Sequence, residues 1–235
     1  MLHPALRGAR ACIFDAGGTL VYPDWPRLSR IAADVCGRSF ESAEMGRAFG
    51  EMLRAAGVEM QREGFVMPEE MKRPHWVFRR MYAALGLDAG VVEEVMERLA
   101  VAHLERHVWC GIDPEVPRIL DELKRQGLMT AVISNTDDGR LTDSLAGIVE
   151  SFDLLIDSHL VGVSKPDPAI FRLTLGQLKL EPHEAAFVGD SYVHDALAAQ
   201  AAGLRGILLD PLDLHPESVC PRIKSLGELV STGSS

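Results

Sequence analysis

Two textures of apolar spacing divide this chain. In the first, apolar residues come in short, nearly unbroken runs: residues 10–15, then LMTAVIS, FDLLID, AAFVG and RGILLD. Runs of this length, bounded by turn-forming residues, read as strands buried on both faces of a sheet. In the second, apolar residues recur three and four positions apart, which places them on one face of a helix. That spacing fills residues 25–107 with no strand signal, in RLSRIAADVC, SAEMGRAFGEMLRAAG, PHWVFRRMYAALG and AGVVEEVMERLAVAHLERH. Four helices are predicted there, with breaks at AAGVEM and LGLDAG.

After WCGIDPEVP the textures alternate. A helix over 115–126, stopped by Gly127, leads into strand LMTAVIS. Helix DGRLTDSLAGI, strand FDLLID, helix DPAIFRLTLGQLKL, strand AAFVG, helix VHDALAAQAAG and strand RGILLD follow. SLGELVS reads as a short last helix and STGSS as a frayed tail. Alternation of this kind implies right-handed βαβ units and a parallel sheet covered on both faces. The first strand belongs to that sheet, yet an insert of roughly 80 residues separates it from the rest, too long for an ordinary connection. The predicted architecture is α/β: a doubly wound parallel sheet from residues 1–22 and 108–235, with an all-helical cap, 23–107, inserted after the first strand.

Charge narrows the partners. The 235 residues carry 34 acidic and 24 basic side chains, a net charge of −10. Nucleic acid and anionic membrane surfaces call for clustered positive charge, so neither is expected as a partner. The expected partner is a small anionic molecule, met by positive charge inside the site. Cys12, Cys36, Cys110 and Cys220 are scattered with no CxxC pair, and read as free thiols of a reducing compartment. No apolar leader opens the chain and no run is long enough to span a bilayer. A cytoplasmic protein, monomer or homodimer, is expected.

Candidate chemistry collects at strand ends, where open parallel sheets bind ligands. Asp15 follows ACIF, Ser134 and Asn135 follow AVI, and Asp190 follows AFVG with Asp195 five residues on. Lys165 lies in the loop GVSKPDP after the LLID strand. Alone, each has a plainer reading. Asp15 serves as a turn residue, Ser134, Asn135 and Asp190 as helix caps, and Lys165 as a solvated loop lysine. Together they suit phosphoryl transfer. Paired carboxylates hold Mg²⁺, a hard ion that takes oxygen ligands. One carboxylate can act as nucleophile, while a lysine and a hydroxyl cradle the phosphoryl oxygens.

FDAGGTL, VISNT, KPDPAIF and VGDSYVHDALAAQAAGL resemble the four motifs of the haloacid-dehalogenase superfamily of hydrolases. The resemblance spans the whole core, and the helical insert is similar to a cap placed after the first motif. It implies that Asp15 is the nucleophile and that Ser134 and Lys165 hold the transferring group, with Asn135 beside them in the phosphate-binding set. It further implies Mg²⁺ held by Asp15, the Gly17 carbonyl and Asp190, with Asp195 supporting the metal. The departure is Gly17, where phosphatases of the superfamily carry a second aspartate that protonates the leaving oxygen. General acid–base help is typically worth about two to four orders of magnitude. The main expectation is a Mg²⁺-dependent phosphatase acting on a small phosphorylated metabolite. Its alternatives are a metal-free 2-haloacid dehalogenase, a phosphonatase-like enzyme using Lys72, and a non-catalytic binding protein. His103 and His107 are expected to be solvated or linker-facing. Arg79 and Arg80 are expected on a charged helix face, with one of them a possible reader of the substrate anion.

Overall fold

The computed structural model describes residues 1–64 and 67–230. The chain divides into two units, Met1–Tyr22 with Ile112–Ser235, and Pro23–Gly111. Both crossings lie in a two-stranded sheet made of β2 (Val21–Pro23) and β3 (Trp109–Ile112).

The first unit is built on a six-stranded sheet. Its members are β1 (Ala11–Phe14), β4 (Met129–Ser134), β5 (Leu154–Asp157), β6 (Ala185–Gly189), β7 (Arg205–Leu209) and β8 (Arg222–Ile223). The order is β5-β4-β1-β6-β7-β8, with β1 paired in parallel to both β4 and β6. The order reverses at β1, so the ends of β1, β4 and β6 flank the crevice where such sheets bind ligands. Register brings those ends level. Phe14 lies opposite Val132 on one side and Val188 on the other, and Ser134 lies opposite Asp157. β1 and β6 are buried at every position, as unbroken apolar runs in a doubly covered sheet must be. Ile13, Ile133, Ile156 and Phe187 pack there with Ile170, Phe171 and Leu175 of α8 (Pro168–Leu178). α5 (Val116–Arg125) precedes β4, and Gly127 (φ 82°) turns the chain out of it, as the stop signal requires.

The second unit holds α1 (Trp25–Cys36), α2 (Ser42–Arg62), α3 (Trp76–Ala84) and α4 (Ala89–Glu105). It has its own core of Leu28, Met45, Met52, Phe78, Met81, Tyr82, Val95 and Leu99. Tyr82 is buried there and its hydroxyl donates to Leu28 O at 2.8 Å.

Several elements differ from their sequence signals. The break expected at AAGVEM is absent, since α2 runs through Gly57 to Arg62. Its apolar face continues as Met45, Phe49, Met52, Ala56 and Met60, all buried, and that packing outweighs the roughly 1 kcal/mol cost of a mid-helix glycine. β2, β3 and β8 lack a distinct apolar run and arise from pairing. DGRLTDSLAGI forms only a single turn, α6 (Leu141–Ser144). FDLLID continues into a short helix, α7 (Ser158–Val161), capped by the Asp157 side chain. VHDALAAQAAG opens as a π-helix, Tyr192–Leu197, before α9 (Ala198–Ala201). That segment lies hard against β7, where a Cβ on Gly206 would overlap the Ala196 carbonyl. SLGELVS gives a 3₁₀ turn, Leu226–Leu229. STGSS, expected to fray, lies outside the described residues. Among the described residues the four cysteines are free, and no helix is long and apolar enough to cross a membrane.

Candidate active site

Asp15 and Asp190 leave the backbone just past the ends of β1 and β6, Asp195 from the π-helix after β6, and Lys165 from the loop between α7 and α8. The Asp15 N–H still donates to Val188 O at 2.8 Å, so the chain is tied to β6 as the carboxylate departs. A tight loop closes behind it. The Ala16 carbonyl accepts from the N–H groups of Thr19 (3.3 Å), Leu20 (2.8 Å) and Val21 (2.9 Å). The left-handed turn falls at Gly18 (φ 84°), and a Cβ there would overlap the Asp190 carboxylate. Gly18 is thus required twice over, by conformation and by the close approach of Asp190.

Lys165 reaches the same place from the loop before α8. Its ammonium is buried and donates to Asp15 Oδ1 at 2.5 Å and Asp195 Oδ1 at 2.6 Å. It also sits 5.2 Å from the centroid of the Phe187 ring. The second oxygen of Asp195 accepts the Ser191 N–H at 2.9 Å. A Cβ on Gly189 would overlap Asp195, so the bare backbone at the end of β6 makes room for that carboxylate.

Asp15, Asp190 and Asp195 each bring a carboxylate oxygen within 4.8 Å of the others. Three carboxylates therefore face one ammonium. Burial pushes Asp15 up to about 6 although Lys165 pulls it down, and Asp195 adds to the rise. Burial, then the charges of Asp15 and Asp195, hold Asp190 well above the usual aspartate range. Lys165 goes up in spite of its burial, because both carboxylates favour the ammonium. Negative charge is in excess, most of all at Asp190. The donors are all hard oxygens, a set that suits a hard divalent cation. On this test the residues fit a metal ion.

Ser134 is buried at the end of β4, on the same sheet edge. Asn135 turns its carboxamide to the backbone of Lys165, donating to the carbonyl at 2.8 Å and accepting the N–H at 2.9 Å. Neither Ser134–Asn135 nor Asp190 caps a helix: α6 begins only at Leu141, and the π-helix is capped by Ser191, whose oxygen accepts the His194 N–H. Two participants escaped the sequence reading. Asp157 takes the Thr136 hydroxyl, the Leu141 N–H and the His159 N–H, and so fixes the loop after β4. Its signal was present, since it ends a strand as Asp15 does. Ser191 had no distinct signal. The Tyr22 phenol is pushed up to about 12 by burial, then by Asp190 and Asp113.

Other candidates resolve into structure. His103 and His107 are buried, not solvated. His103 Nδ1 accepts the Val108 N–H at 3.3 Å, and His107 Nδ1 lies 3.0 Å from Trp109 O, so both serve the segment entering β3. Arg79 pairs with Glu93, and Arg80 with Glu59 and Glu70, so the second unit uses both guanidinium groups internally. Lys72 is exposed and pairs with Glu69 on its own turn, with no feature of an imine-forming lysine.

Fold and site together define a doubly wound α/β hydrolase with a helical insert and a carboxylate–lysine centre. Residues 9–203 match the family described as haloacid dehalogenase-like hydrolase, and the chain belongs to that family. A phosphoserine phosphatase of Thermus thermophilus is 35% identical over 132 residues, 55% of this chain and 53% of that protein. The chain thus spans about half the length of that relative. Among solved structures, a HAD hydrolase from Bacillus subtilis bound to magnesium superposes with a TM-score of 0.64 at 17% identity, covering 94% of this chain and 96% of that one. A 2-haloacid dehalogenase from Pseudomonas syringae pv. Tomato gives 0.54 at 26% identity, with 94% and 96% covered.

Proposed function

We propose that this hydrolase is a magnesium-dependent phosphatase acting on a small phosphorylated metabolite. The observation that carries the reading is the excess of carboxylate around Asp15, where Asp190 has, among the described residues, no cationic partner of its own and Lys165 is shared by Asp15 and Asp195. A site meant only to expel a halide has no use for that surplus. A bound Mg²⁺, held by Asp15, Asp190 and the Gly17 carbonyl, would offset it and let a second anion enter. The phosphatase relative from Thermus points the same way.

In this mechanism an Asp15 oxygen attacks phosphorus, and the bond from phosphorus to the leaving oxygen breaks. Water then attacks the aspartyl-phosphate, releasing inorganic phosphate and restoring the carboxylate. Lys165 steadies Asp15 for attack and offers positive charge to the phosphoryl oxygens, and Ser134 supplies a hydroxyl at the same edge. Gly17 has no side chain to protonate the leaving oxygen, so the preferred substrates release a weakly basic group.

Purified protein should hydrolyse an aryl phosphate when Mg²⁺ is supplied, stop in EDTA, and lose at least three orders of magnitude with Asp15→Asn. Halide release from 2-halo acids without metal, and no phosphatase activity, would establish instead the dehalogenase reading that Gly17 favours.

A further inference from the structure

The least expected contact at the site belongs to Asn135. A hydrogen-bonding side chain just past β4 is placed to meet the substrate. Here its carboxamide oxygen and one amide hydrogen are engaged with the main chain of another residue, Lys165, 30 positions away. The contact is reciprocal, since Nδ2 donates to Lys165 O at 2.8 Å and the Lys165 N–H donates to Oδ1 at 2.9 Å. Only one orientation of the amide satisfies both bonds, because an exchange of oxygen and nitrogen would set donor against donor and acceptor against acceptor.

Lys165 needs such a hold. Its loop runs between α7 and α8, outside the sheet, so no ladder fixes its backbone. Four rotatable bonds separate that backbone from the ammonium. The ammonium nevertheless has to meet Asp15 at 2.5 Å and Asp195 at 2.6 Å at once, beside the Phe187 ring. The anchor itself is firm. The next residue, Thr136, gives its N–H to Ser158 Oγ at 3.0 Å and its hydroxyl to Asp157, which ties the strand exit of β4 to that of β5.

We propose that Asn135 is a positioning residue: its carboxamide clamps the backbone of Lys165 and thereby sets where the ammonium stands over Asp15. The role differs from a direct contact with the transferring phosphoryl group, and it rests on the phosphatase reading only for its kinetic consequence. Loss of the clamp lets the lysine drift, which weakens the transition state more than it weakens binding. A displacement of about 1 Å at a reacting centre can cost 10²-fold in rate.

The test combines kinetics with hydrogen exchange. Asn135→Ala is expected to lower kcat about 10- to 100-fold on an aryl phosphate with Mg²⁺, with KM changed less than about threefold. In a Lys165→Met background the same substitution should cost less than about twofold, because the residue it acts through is gone. The Lys165 amide should exchange at least about tenfold faster in Asn135→Ala, while amides of β4 and β6 keep their protection. A rise in KM with kcat unchanged, or an equal loss in both backgrounds, would overturn the clamp in favour of direct phosphate contact. Unchanged exchange at Lys165 would overturn it whatever the kinetics. Should Lys165→Met be inactive, the kcat-against-KM split and the exchange rates decide. If every protein is inactive on phosphate esters yet the Lys165 amide loosens, the phosphatase reading fails and the clamp stands.

Discussion

At the residue scale the two glycines after Asp15 have opposite meanings. Gly18 is demanded by geometry, so Gly18→Ala should drive its new methyl group into Asp190 and strain a left-handed turn. Titration of activity with Mg²⁺ should show at least a tenfold loss of metal affinity in that variant. Gly17 lies outside the positive-φ set, so its backbone conformation does not itself demand glycine. On the phosphatase reading its cost is chemical: nothing at that position hands a proton to the leaving oxygen. Across aryl phosphates, log kcat/KM should fall steeply as the leaving phenol becomes more basic. Gly17→Asp should flatten that slope and raise turnover of the poorest leaving groups by about 10²-fold. An unchanged slope would show that the missing proton donor does not limit the reaction.

At the element scale, the corner after β7 shows how one buried carboxylate organises a segment with little packing of its own. Asp210 accepts the N–H groups of Leu214 (2.8 Å) and His215 (3.0 Å) and pairs with Arg222 on β8 at 3.0 Å. Burial pushes its carboxyl up, but these three donors outweigh it and hold the group below the ordinary 3.8. A carboxyl lowered by folding stabilises the native state above the unfolded value and loses that contribution as pH falls through the folded one. Asp210→Asn should therefore cost about 1–3 kcal/mol in urea unfolding at pH 7, and the deficit should shrink once the pH is taken well below 3.8. A pH-independent deficit would assign the cost to packing instead. The same corner explains what the amino-acid pattern could and could not reveal. β1, β4, β5, β6 and β7 were legible because buried parallel strands must be apolar throughout, and the strand-end placement of Asp15, Ser134 and Asp190 followed from them. β8 and the β2–β3 pair were not, since partners supply their order and no periodicity marks it. The π-helix was also silent: its residues suit an α-helix, and its widened turn shows only in the backbone, where the Ala196 N–H donates to Ser191 O at 3.3 Å. Asn135 was found as a site residue, but which atoms it meets depends on a loop 30 residues away, and no local pattern carries that.

At the scale of the whole molecule the centre is in tension with the fold that holds it. On the phosphatase reading, three carboxylates around one ammonium are arranged for the metal they would bind, not for the stability of the empty protein. Asp190→Asn should raise the melting temperature in EDTA by about 2–4 °C for each 1 kcal/mol of repulsion relieved, while abolishing catalysis. Mg²⁺ should raise the melting temperature of the wild type and leave that of Asp190→Asn nearly unmoved. A lower melting temperature for the variant in EDTA would mean that Asp190 stabilises the empty site. A different consequence follows from the position of β1 between β4 and β6. A ribosome moving along this message makes the middle of the sheet first and its two neighbours long afterwards, the second only when Gly189 has been added. Until Ser134 has been added the four apolar residues of β1 have neither neighbour, and until Gly189 only one, while the helical segment, complete in itself by Gly111, is free to condense. Synthesis thus leaves this strand open on at least one edge until Gly189 emerges, and the yield of active protein should depend on chaperones that shield it.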